Sequence, residues 1–138
     1  MALNFPFRSL TEEPPQVLVV DDSDTALDGM IQALGDALIP AIGMPSAIGT
    51  TRTVLRYGIR VVVADVNMPV MTGNNLVSLF RSNSKLAGVK VVLVSGLPKP
   101  ELVKMAAECG ADGVVAKHEV DSMLVPMVRR FLPKPMQR

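Results

Sequence analysis

Five polar positions carry the chemistry this sequence offers: Asp21 and Asp22, Asp65, Ser95 and Lys117. Each set directly follows a short apolar run: Val17-Leu18-Val19-Val20, Val61-Val62-Val63-Ala64, Val91-Val92-Leu93-Val94 and Gly113-Val114-Val115-Ala116. Three carboxylates brought together repel one another and need protons or a cation. Hard oxygen donors, few in number, suit a Mg2+ ion that keeps several of its waters. One or two carboxylates plus phosphate oxygens around such an ion is the usual arrangement in phosphoryl transfer. A lysine adds a positive point charge for phosphate. A serine hydroxyl can donate to a phosphoryl oxygen, and a carboxylate can itself be the nucleophile that forms an acyl phosphate. Taken singly, each residue has a plainer use. The Asp pair can cap a helix, Asp65 can start a turn, Ser95 can cap, and Lys117 can sit on the surface. It is their joint occurrence, at four run ends, that points to a site.

The elements that would gather them follow from periodicity. The four runs are β-branched, short and apolar at every position, which is the pattern of central strands in a parallel sheet covered on both faces. A further strand is expected near residues 39–44, where Pro40 and Gly43 weaken the pattern. Between the runs, apolar residues recur at three- and four-residue spacing. Leu27, Met30, Ile31, Leu34 and Leu38 mark a first helix, with Ser23 or Asp24 as its cap. A second helix is expected over residues 47–57. Leu76, Leu79 and Phe80 mark a third, and Leu102, Met105, Ala106 and Cys109 a fourth. Leu124, Met127, Val128 and Phe131 mark a fifth. Five strands alternating with five helices make an α/β fold, a doubly wound parallel sheet of flavodoxin-like order 2-1-3-4-5. In such a sheet ligands bind at the carboxyl ends of the strands, where all five polar positions fall.

Composition limits the rest. The 138 residues suit one domain, with 49% hydrophobic and 20% charged residues. Residues 1–15 read as a tail, 16–132 as the domain, and 133–138 as a basic tail. A formal charge of +1 gives no field aimed at nucleic acid. One cysteine and one histidine exclude a disulfide framework and a multi-histidine metal centre. The longest uncharged stretch, residues 37–51, is shorter than the roughly 20 residues that span a bilayer. It is also broken by Pro40, Gly43, Pro45 and Gly49. The N-terminus lacks a signal-peptide pattern, so a cytoplasmic location is expected.

On the segments VLVVDDSDTAL (17–27), VVVADVNMPVMTG (61–73), VVLVSG (91–96) and GADGVVAKHE (110–119), the chain resembles the receiver domain of two-component response regulators, of the single-domain chemotaxis type. The resemblance runs from about Gln16 to Leu132. It implies Asp65 as phosphoacceptor. It implies Mg2+ bound by Asp22, Asp65 and the backbone carbonyl of Asn67, with Asp21 acting through a water. Lys117 would pair with the acceptor and then with the phosphoryl oxygens, and Ser95 would bond the phosphoryl group. Pro69 and Gly73 would shape the loop after Asp65. The implied partners are a sensor histidine kinase or phosphotransfer protein as donor and a downstream effector protein. Direct nucleic-acid binding and membrane insertion are not implied. Self-catalysed phosphorylation and dephosphorylation would be the only chemistry. If the sequence is a whole gene product, the short stretch after residue 132 makes a stand-alone receiver the expectation; if it is a piece of a longer one, an output domain could be missing from it.

Three positions depart from the family pattern. Val114 stands where an aromatic residue is usual. His118 replaces the proline after the lysine, so either a trans bond with a changed loop or a strained cis bond is expected there. Pro126 falls inside the last helical pattern, so a kink or a late start is expected. These departures keep open an alternative, a receiver-like interaction module that works without phosphorylation; the intact Asp21, Asp22, Asp65, Ser95 and Lys117 weigh against it. A haloacid-dehalogenase-like phosphatase would place D-x-D-x-[TV] after the first strand, and Ala26 breaks that pattern. No glycine-rich nucleotide motif is present.

Overall fold

The computed structural model describes residues 13–133. Residues 1–12 and 134–138, which hold most of both expected tails, lie outside the described residues. The chain runs β1 (Val17–Val20), α1 (Asp24–Asp36), β2 (Ala41–Met44), α2 (Thr50–Tyr57), β3 (Val61–Asp65) and α3 (Gly73–Arg81). It continues through β4 (Lys90–Ser95), α4 (Lys99–Cys109), β5 (Gly113–Ala116), a 3-10 turn (Lys117–Glu119) and α5 (Val120–Phe131). All strand pairs are parallel and the order is β2-β1-β3-β4-β5, the order expected for a doubly wound sheet of this size.

Every residue of β1 and β3 is buried, because alternate side chains enter two separate cores. Leu18, Val20, Val62, Ala64, Val91 and Leu93 meet α2, α3 and α4 through Val54, Leu76, Val77, Phe80 and Leu102. Val17, Val19, Val61, Val63, Val92 and Val94 meet α1 and α5 through Leu27, Met30, Ile31, Leu34, Leu124 and Val128. A polar residue inside any of these strands would be stranded in one core or the other. Hence polarity begins only where the strands end.

Local chemistry sets the boundaries. Ser23 caps α1, its hydroxyl accepting from the Ala26 amide at 3.3 Å. Gly43 lies where α1 crosses β2: an added Cβ would come 2.8 Å from Leu27 Cδ1. Four details differ from the periodic reading. Strand β2 is shorter, starting at Ala41. Helix α2 starts at Thr50, because Gly49 adopts a left-handed φ of 86° and interrupts the approach. Leu79 is exposed and Val77 takes its place in the stripe. Leu38 lies past the end of α1 at φ 63° and is 83% exposed, so it extends no apolar face. Helix α5 begins at Val120 and continues through Pro126, whose ring is on the solvent side; packing of Leu124 and Val128 keeps the helix despite the missing amide donor.

Candidate functional site

The register of the sheet brings the five polar positions to one edge. Val20 pairs with Ala64, so Asp21 and Asp65 lie on adjacent strand ends, and Ser95 pairs with Ala116, which precedes Lys117. Asp21, Asp65 and Ser95 are buried, whereas Asp22 and Lys117 are exposed. Each of the three acids offers a carboxylate oxygen, and these oxygens lie within 4.8 Å of one another. Lys117 Nζ is 3.6 Å from Asp65 Oδ2.

Each buried side chain is held by its own loop. Asp21 Oδ1 accepts from the Ser23 amide at 2.9 Å, and Asp65 Oδ1 from the Asn67 amide at 3.2 Å. Ser95 Oγ accepts from the Leu97 amide at 3.0 Å. These are turns in which a short polar side chain takes the amide two residues on. The loop after Asp65 closes on itself through Gly73, whose amide donates to the Val66 carbonyl at 3.0 Å. A Cβ at Gly73 would lie 2.7 Å from the Asp65 carbonyl oxygen, so only glycine allows this approach. Among the described residues, no backbone amide donates to the Asn67 carbonyl.

The electrostatics are unbalanced. Burial pushes the Asp21 carboxyl above its ordinary pKa, against the lowering effect of the Ser23 amide; Asp65 raises it further, Lys117 lowers it, and Asp22 raises it. Asp21 Oδ2 is buried with no hydrogen-bond partner. An orphaned carboxylate oxygen beside two more carboxylates is what a hard divalent cation would satisfy, and the donor set fits such an ion. Such an ion would also offset the repulsion that Lys117 alone leaves uncompensated.

All the residues singled out by type and spacing are therefore brought together. Val114 is half-buried against the core on the α4 side, and His118 is exposed in the 3-10 turn after Lys117. Sequence reasoning missed two supports. The Ser23 amide bond to Asp21 has a readable signal, an aspartate two residues before a serine that starts a helix. The ion pair between Lys99 Nζ and Glu119 Oε1, at 3.2 Å, joins residues twenty apart and has no local signal.

The family model for the response regulator receiver domain matches residues 17–129. The two-component response regulator ORR8 of Oryza sativa subsp. indica is 28% identical over 119 residues, covering 86% of this chain and 98% of its own. The transcriptional regulatory protein MctR of Rhizobium johnstonii is 30% identical over 113 residues, covering 78% of this chain and 51% of its own. Among solved structures, the chemotaxis response regulator CheY4 of Vibrio cholerae superposes with a TM-score of 0.77 at 26% identity, covering 87% of this chain and all of its own.

Proposed function

The chain belongs to the response regulator receiver domains of two-component systems, and on that premise we propose that it is a phosphorylation-dependent switch with Asp65 as the acceptor. The observation that carries this reading is the Asp65 carboxylate, buried at the end of β3, with Lys117 Nζ at 3.6 Å and two further acids beside it. Asp65 attacks the phosphorus of a phosphohistidine or of a small acyl phosphate. The new Asp65 Oδ–P bond forms as the bond from phosphorus to the donor breaks, and the donor leaves with the electron pair. Lys117 follows the charge from the carboxylate to the phosphoryl oxygens. Ser95 turns its hydroxyl from the Leu97 amide to donate to the same group. Asp22, Asp65 and the Asn67 carbonyl would hold Mg2+, with Asp21 acting through a water. When bound, the ion supplies positive charge to the phosphoryl oxygens.

The product adds about −1 to −2 of charge at one buried point. The loop after Ser95 and the turn after Lys117 are the segments able to respond, and a protein surface that includes them would be read by an effector. Donor and effector are thus both proteins: a sensor histidine kinase or phosphotransfer protein on one side, a downstream target on the other. The cytoplasm is the matching compartment, and no described helix is long and apolar enough to cross a membrane.

Intact mass after incubation with acetyl phosphate and Mg2+ tests the reading. The expected result is one phosphoryl gain in the wild type, none in Asp65→Asn and none with EDTA. No gain in the wild type would overturn it in favour of an interaction module that works without phosphate.

A further inference from the structure

Lys117 stands on a turn with little of its own support. None of Lys117, His118 and Glu119 is buried, and no side chain caps the turn. On the α1 side the turn borders a cavity of about 210 Å³ whose lining includes Ala26, Met30, Val94 and Val120 together with Asp21, Lys117 and Asp121. Among the described residues, its side chains make two polar contacts with other elements. One is Lys117 to Asp65, and the other is Glu119 Oε1 to Lys99 Nζ at 3.2 Å.

Lys99, in the second contact, sits against local preference, and Glu119 leaves a local role unused. Lys99 is the first residue of α4, where a cation opposes the positive end of the helix dipole, and no side chain caps that end. Glu119 occupies the N-cap of α5 without capping it. A carboxylate there could serve the free amides of α5; instead it reaches across to α4. A cation at the start of α4 and a carboxylate that forgoes its own helix's amides point to a tertiary reason.

We propose that Lys99 is a positioning residue for the phosphoryl-transfer site: through Glu119 it fixes the turn that places the Lys117 ammonium on Asp65. The pair also spans two loops of the site. Lys99 begins α4 directly after the Ser95 loop, and Glu119 closes the turn after Lys117. The strands beneath are already locked in register, Ser95 opposite Ala116. Motion is therefore left to the loops above them, and this ion pair is the strut between those loops. The role rests on the function proposed above, since it matters only if Lys117 serves Asp65.

The test uses Lys99→Met, Glu119→Gln and the swapped pair Lys99→Glu/Glu119→Lys in the full chain. All of these side chains are at least partly exposed, so folding is retained, and circular dichroism melts check it. At saturating Mg2+, each single variant is expected to gain phosphate from acetyl phosphate about two- to fivefold more slowly, the scale of an exposed ion pair. The Mg2+ midpoint stays unchanged, because the acids are untouched. The swapped pair recovers most of the rate. A second readout is the Lys117 Cε and Nζ resonances in labelled protein, which shift in both single variants and return in the swap. Wild-type rates and unshifted Lys117 resonances in the single variants would overturn the positioning role, as would a swap no better than either single. If the wild type takes no phosphate at all, the proposed function fails, and the Lys117 resonances still decide whether Lys99 positions that lysine.

Discussion

At the scale of single residues, the site is held in a state that is costly without a cation. Asp21 is buried, has an orphaned oxygen and sits beside two more acids. Its folded pKa lies above the unfolded value near 3.8, so the native state binds this proton more tightly than the unfolded chain does. Stability from this group is therefore greatest below the unfolded pKa and is lost as pH rises through the folded one. Asp21→Asn is expected to melt higher than the wild type at pH 7 in EDTA, with the difference fading below pH 4. Added Mg2+ should reverse the order, raising the wild-type melt and leaving that of the variant little changed. Calorimetry across pH, with and without the ion, checks both. The aspartates, Ser95 and Lys117 were all legible from their places after apolar runs. Asp21's missing partner was not, because it depends on what surrounds a side chain and not on what neighbours it in sequence.

Elements show the same division. The apolar runs at 17–20, 61–64 and 91–94 became strands, since residues apolar on both faces have no other place in a covered sheet. Helix ends were less legible. Leu38 continued the α1 spacing, yet the chain turns left-handed there and leaves it in solvent. Pro126 argued for a kink or a late start in α5, yet the helix already begins at Val120 and runs through it, with Leu124 and Val128 fully buried beneath. Its cost remains as one lost amide donor in a helix interior. Pro126→Ala restores that donor on the solvent side and is expected to stabilise the protein by about 1–3 kcal/mol, read as a higher urea midpoint with an unchanged slope. A lower midpoint would mean that the ring makes a contact worth more than the hydrogen bond.

For the molecule as a whole, one sheet separates two cores, and the strands feed both. Leu93 lies in the core under α3 and α4, and Leu124 in the core under α5; both are fully buried. Leu93→Ala and Leu124→Ala are each expected to cost about 2–5 kcal/mol. Because the two side chains fill different cores, the double variant should cost their sum to within about 0.5 kcal/mol. Urea unfolding of the three variants measures this, and a strong departure from additivity would show that the sheet couples the cores. The sequence by itself determined the strands, their burial on two faces and the five polar positions, while the sheet order came from the few topologies open to such a fold. The former follow from side-chain polarity and spacing, which are local properties. Only the tertiary structure decided which oxygen is left without a partner, how near Lys117 comes to Asp65, and that Lys99 meets Glu119. Such distances depend on loops brought together from separate strands, and no local pattern encodes them.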